Sequence, residues 1–123
     1  MRVLVCGDRN WANKESVFYE LVNLLSYELQ GDEFVVITGA CRGADWFARE
    51  WCELHQRTRL MEFPADWQKH GKAAGPIRNQ QMLDEGVPDL VLAFHADITN
   101  SKGTLDMIHR ANKARVPVHL IPS

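Results

Sequence analysis

FVVITGACRGAD, residues 34–45, is the stretch from which the fold can be read. Phe34 to Thr38 are apolar or β-branched without polar alternation, the pattern of a strand covered on both faces. The chain then places Gly39, Ala40, Gly43 and Ala44 around Cys41 and Arg42. From Gly43 to Gln56 it reads as a helix, with Phe47, Trp51 and Leu54 on one side. A strand that passes into a helix through residues this small implies that something comes close to the backbone at the bend.

The same alternation continues outward in both directions. Arg2 to Cys6 (RVLVC) is a short strand stopped by Gly7. From Lys14 to Leu29 a helical stripe places Val17, Leu21, Leu25 and Leu29 four residues apart, and Gly31 and Asp32 break it. Thr58 to Phe63 is a strand ended by Pro64; Pro76 to Glu85 is a helix with the proline in its first turn. Asp89 to Phe94 (DLVLAF) is a further apolar strand, Gly103 to Ala114 a helix, and Val116 to Ile121 a last strand before Pro122. Strand and helix in strict succession predict parallel pairing with helices on both faces. The expected fold is therefore α/β: one Rossmann-like three-layer domain over residues 1–123, with a five-stranded parallel sheet in the order 3-2-1-4-5.

Composition narrows the function classes. Of 123 residues, 46% are hydrophobic, enough for a real core in one domain. A net charge of −2, with Lys and Arg spread along the chain, opposes nucleic acid as a partner. No apolar run approaches the ~18 residues of a membrane span, and the N-terminus has no signal-peptide pattern. Cys6, Cys41 and Cys52 form an odd set without CxxC spacing, which predicts a reduced, cytoplasmic protein without structural zinc. The five histidines (His55, His70, His95, His109 and His119) lie far apart without metal-ligand spacing, so neither a metal nor a cofactor is assigned. A homo-oligomer is compatible with all of this.

In parallel α/β sheets ligands sit beyond the carboxyl ends of the strands, where strand order reverses. Four such ends carry unusual sequence: GDRNW from Gly7, GACRGAD from Gly39, PADWQKHGKAAGPIRN from Pro64 to Asn79, and the run through His95 to SKGT, Ser101 to Thr104. Helix starts expose unpaired N–H groups and partial positive charge. Glycine there removes the Cβ that would hold a phosphate away. With Arg9, Lys72 and Arg78 nearby, these ends would form an anion site suited to a nucleotide phosphate. GACRGAD is neither the GxGxxG dinucleotide fingerprint nor the GxxxxGK[ST] phosphate loop.

TGACRGAD, PADWQKHGKAAGPIRNQQML, PDLVLAF and GTLDMIHRA together resemble the YspA-like (cpYpsA-related) branch of the SLOG superfamily. That superfamily also holds the LOG phosphoribohydrolases and the core of the DNA-processing protein DprA. The resemblance covers nearly the whole chain and implies a Rossmann-like fold, a nucleotide or nucleotide-derived ligand, and a phage or bacterial origin. By it, the first glycine element falls on Gly7, Asp8 and Arg9, and the second on Gly39, Ala40, Gly43, Ala44 and Asp45. The arginine that LOG enzymes set on a phosphoribosyl group falls on Arg78, followed by Asn79. The GT of PGGxGTxxE falls on Gly103 and Thr104.

Here the chain departs from the LOG pattern. Asn100, Ser101 and Lys102 stand in place of PGG, and Met107 stands where the catalytic glutamate would be. A thioether is neither acid nor base, so LOG-type hydrolysis is disfavoured. Asp106, one position away, is turned by ~100° on a helix and is expected to point elsewhere. Asp8, Asp45 and Asp66 remain as carboxylates for another mechanism. Asp45 reads first as a first-turn acid favoured by the helix dipole and second as a ribose contact. Trp11 and Trp67 are either base-stacking or packing residues, and Arg110, Lys113 and Arg115 a solvated face.

The expected function is binding of a nucleoside phosphate or ADP-ribose-like molecule, for sensing or sequestration. The alternatives are a hydrolase acting on an N-glycosidic or phosphoester bond of such a ligand, and a DNA-binding accessory protein.

Overall fold

The computed structural model describes residues 1–27 and 33–123. The expected helix end at Leu29 and the breakers Gly31 and Asp32 lie outside the described residues. Five parallel strands, β1 (Arg2–Gly7), β2 (Phe34–Thr38), β3 (Thr58–Glu62), β4 (Leu90–Phe94) and β5 (Val118–Ile121), form one sheet in the order β3-β2-β1-β4-β5. Between them run α1 (Lys14–Tyr27), α2 (Ala44–Leu54), the single turn α3 (Trp67–His70), α4 (Ala74–Gly86) and α5 (Gly103–Lys113).

Strand alternation sorts the core into two layers. Val3, Val5, Phe34, Val36, Leu92 and Phe94 face one way and pack with Val17 and Leu21 of α1 and Ala44, Ala48 and Trp51 of α2. Leu4, Cys6, Val35, Ile37, Val91 and Ala93 face the other way, against Met82 and Leu83 of α4 and Met107 and Ala111 of α5. Every residue of β2 is buried, as its unbroken apolar run requires. α4 lies so close to the sheet that a Cβ at Gly86 would come within 3.0 Å of the Ile37 side chain.

Several boundaries differ from expectation for local reasons. β5 begins at Val118 rather than Val116, because the Val116 N–H closes the end of α5 on the Ala111 carbonyl at 2.9 Å. α4 begins at Ala74, which places Pro76 third in the helix, still in the first turn where its missing N–H costs no helical bond. The segment between β3 and α4 carries α3, whose Asp66 cap accepts the Lys69 N–H at 3.0 Å. Leu54, expected on the inner side of α2, is 70% exposed on its last turn.

Candidate functional site at the strand-order reversal

β1 and β4 are adjacent in the sheet yet separated by most of the chain, and their carboxyl ends meet where Gly7 pairs with Phe94. The Asp8 N–H continues that pairing to the Phe94 carbonyl at 2.9 Å. Beyond this point a cavity of about 540 Å³ opens, lined from the ends of β1, β2 and β4 and from the starts of α4 and α5. Of the residues singled out in the sequence, Gly7, Asp8, Arg9, Gly39, Asp45, Lys72, Arg78, Asn79, Gly103 and Thr104 line it; Ala40, Gly43 and Ala44 do not.

The bend after β2 is held by the protein itself. Asp45, in the first turn of α2, turns its Oδ2 back to accept the Gly39 N–H at 2.9 Å and the Cys41 N–H at 3.3 Å. Its role is thus to tie the loop, beyond any dipole effect. Ala40 sits at φ 59° and is exposed. What approaches Gly39 is the Arg78 guanidinium: a Cβ there would lie 2.6 Å from Nη1 and 2.8 Å from Cζ. Gly43 has φ 85°, and a Cβ on it would strike the Asp8 carbonyl oxygen and come within 2.9 Å of the Arg9 carbonyl. Gly7 has no room either, since a Cβ would run into the Phe94 carbonyl oxygen. The small residues at Gly43 and Ala44 therefore serve loop packing.

Arg78 is almost fully buried and spends most of its fork on the protein. Nη1 donates to the Gly39 carbonyl at 2.6 Å and to the Phe63 carbonyl at 3.4 Å, and Nε donates to Asn79 Oδ1 at 3.1 Å. These bonds bring the Pro64–Asn79 block against the Gly39 bend, as a shared site requires. They also make Arg78 a strut of the bend as well as a residue of the cavity wall. Among the described residues only its Nη2 has no partner.

Burial raises the Asp45 carboxyl from 3.8 to about 6, against the opposing pull of the Cys41 N–H, the Arg78 charge and the Gly39 N–H. Asp45 is 6% exposed, and its Oδ1 has no hydrogen-bond partner among the described residues. Cys6, at the end of β1, has its thiol pushed well up by burial and is no nucleophile at neutral pH.

The opposite wall comes from α4 and α5. Asn79 Nδ2 donates to Asp106 Oδ2 at 3.0 Å and to the Gly103 carbonyl at 3.3 Å. The Thr104 N–H donates to Ser101 Oγ at 3.1 Å, while its own hydroxyl has no partner among the described residues. Around Gly103 a Cβ would meet nothing within 4 Å. Met107 is fully buried and forms part of the cavity floor with Cys6 and Met82. Asp106 lines the same cavity. The ~100° helical turn does separate it from Met107, but the cavity is wide enough to reach both positions. Lys113 and Arg115 are exposed, as expected of a solvated face, while the partly exposed Arg110 also pairs with Asp106 at 2.8 Å and reaches Gln80 Oε1 at 3.1 Å.

Around the mouth stand Arg9, Arg42, Lys72 and Lys102, all exposed. None of them is in an ion pair among the described residues. Trp67 lines the cavity and is half exposed; Trp11 is instead packed on Phe94 with ring centroids 5.7 Å apart. His95, which sequence reasoning did not select, also lines the cavity. Its Nδ1 accepts the Asp97 N–H at 3.0 Å, which leaves the proton of the neutral ring on Nε2, 4.0 Å from Asp8 Oδ2. Its place directly after β4 was the available signal. No cluster of three or more metal-holding side chains occurs among the described residues, and no described helix is long and apolar enough to cross a membrane.

In a parallel Rossmann-like sheet the cavity at the strand-order reversal is the place where α/β proteins bind small molecules. Residues 1–70 match the YspA, cpYpsA-related SLOG family, and the chain belongs to that family. The gene 61 protein of Mycobacterium phage D29 is 36% identical over 121 residues, covering 95% of this chain and 93% of that protein. No solved structure matches. Membership points in general terms to a nucleotide-related ligand.

Proposed function

We propose that residues 1–123 act as one nucleotide-binding domain, which senses or sequesters a nucleoside phosphate or an ADP-ribose-like molecule without turning it over. The observation that carries this reading is the division of charge in the cavity. Unpaired cations, Arg9, Arg42, Lys72 and Lys102, ring the mouth, while the free Oδ1 of Asp45 lies inside. Like charges 4 Å apart repel by about 4 kcal/mol at an effective dielectric of about 20, which keeps a phosphate away from ionised Asp45. The phosphate belongs at the cationic mouth and at the open start of α5, and a ribose hydroxyl can donate to Asp45. Met107 offers no carboxylate to a glycosidic bond.

A second reading, hydrolysis of an N-glycosidic or phosphoester bond, draws on the Asp8–His95 pair, whose facing atoms are 4.0 Å apart. The two readings part in one experiment. The purified protein is denatured, released small molecules are identified by mass spectrometry, and the same compounds are titrated calorimetrically into fresh protein. Binding without turnover predicts an intact nucleotide, no free base on incubation, and a Kd about tenfold higher for Lys72→Ala. Free base or inorganic phosphate released at enzymatic rates, and abolished by Asp8→Asn, would establish the hydrolase instead.

A further inference from the structure

Two tryptophans of this chain are about half exposed, Trp46 at 48% and Trp67 at 50%. They differ in what lies beside them. Trp46 is on the outer side of α2, with the Arg49 guanidinium 5.0 Å from its ring centroid, and it does not line the cavity. Trp67 lines the cavity, as do the cations Arg9 and Lys72. One corner of its ring faces α4 at Gly75, where an added Cβ would lie in ordinary contact, 3.5 Å from Cη2. The Arg9 guanidinium stands 5.9 Å from the ring centroid, at the outer limit of a cation–π contact, and the residue stays half exposed. The capped turn of α3 holds the residue in place: Asp66 accepts the Lys69 N–H at 3.0 Å, and its carbonyl accepts the His70 N–H at 3.0 Å.

We propose that Trp67 is a stacking platform for the base of the bound nucleotide, so that the site takes nucleosides and not bare sugar phosphates. This rests on the nucleotide reading above and adds what the cations cannot supply. Arg9, Arg42, Lys72 and Lys102 attract any phosphate, and Asp45 accepts from any hydroxyl, so neither separates a nucleotide from a ribose phosphate. Trp67 is the aromatic ring among the cavity-lining side chains that is large and half exposed, and it is carried on a capped turn. A base laid on it removes two apolar faces from water, beside a guanidinium that can join the stack. Every base has a π-face, so the platform selects for the presence of a base more than for its identity.

The test compares nucleoside monophosphates with ribose phosphate on parent, Trp67→Ala and Trp67→Phe proteins. Affinity is read by calorimetry, and fluorescence is read in a Trp46→Phe background, where the emission lost on Trp67→Phe is that of Trp67 and the remainder that of the buried Trp11 and Trp51. Stacking predicts that nucleoside monophosphates quench Trp67 emission and that Trp67→Ala raises their Kd roughly five- to a hundredfold. Trp67→Phe should recover most of the affinity, and ribose phosphate should bind equally weakly to all three proteins. Equal nucleotide affinity in parent and Trp67→Ala overturns the platform but leaves the nucleotide reading standing. Equal weakening of ribose phosphate by Trp67→Ala also overturns it, because the residue would then act on the site as a whole. If no nucleoside monophosphate binds any of the proteins, both readings fall together.

Discussion

The bend after β2 and the start of α5 are both strand-to-helix connections that carry glycine, and both reach the same cavity, but they are built for opposite ends. At the bend, Gly39 is pressed by the Arg78 guanidinium and Gly43 by the Asp8–Arg9 backbone. At the start of α5, the space that a Cβ on Gly103 would enter is empty to 4 Å. Glycine in the first place makes room for the protein; in the second the room is left over. The contrast teaches that a small residue beside a strand end reports close approach without reporting what approaches.

The contrast breaks most visibly at Gly43. Gly43→Val forces a β-branched residue into φ 85° and drives its Cβ into the Asp8 carbonyl. A loss of about 4 kcal/mol in chemical denaturation is expected, combining backbone strain with overpacking. A variant as stable as the parent would show that the loop yields and that the bend is not tightly packed.

Arg78→Ala comes next. It strips the charged donor from the Gly39 and Phe63 carbonyls and from Asn79. Charged hydrogen bonds contribute about 1.5–3 kcal/mol each, and of these three only the 2.6 Å bond to Gly39 is short, so a loss of about 3 kcal/mol is expected in the ligand-free protein. Unchanged stability combined with weakened binding would make Arg78 a ligand group first and a strut second.

Asp45 sets a pH signature on the same bend. The folded protein holds its proton more tightly than the unfolded chain, with the carboxyl raised from 3.8 to about 6. Its contribution to stability is therefore full below about pH 4 and is lost as the pH rises through about 6. The full span of that change is up to about 3 kcal/mol. From pH 4 to pH 7 the denaturation midpoint of the parent should fall relative to that of Asp45→Asn, which lacks this component. Parallel curves would mean that Asp45 titrates normally.

The smallest effect belongs to the open side. Gly103→Ala adds a methyl group where nothing stands, on a helix that tolerates alanine well. Its stability should stay within about 0.5 kcal/mol of the parent. A nucleotide Kd raised without a change in stability would place the phosphate at the start of α5; a large stability loss would erase the difference between the two connections.

The sheet order was legible because it follows from periodicity. Unbroken apolar runs at Phe34–Thr38 and Leu90–Phe94, alternating with helical stripes, leave few ways to cover both faces. The candidate site was legible in outline, since parallel strands bring all their carboxyl ends to one edge. The detail was not. Nothing local to Gly43 says that its neighbour is the Asp8 carbonyl, which is remote in the chain, and a helical-wheel angle does not give the width of the cavity that Asp106 and Met107 share. His95 and Trp67 were in view as residues, but not as parts of one wall.

The amino-acid sequence by itself determined the alternation of elements, the parallel sheet and the edge at which a ligand would sit, because those depend on hydrophobic period and on turn residues a few positions apart. Only the tertiary structure decided which small residues face the cavity and which face other loops, that Arg78 is largely consumed in holding the bend together, and that Trp67 stands open beside free cations. Those are contacts between segments far apart in the chain, and their geometry exists only after the sheet has brought the strand ends together.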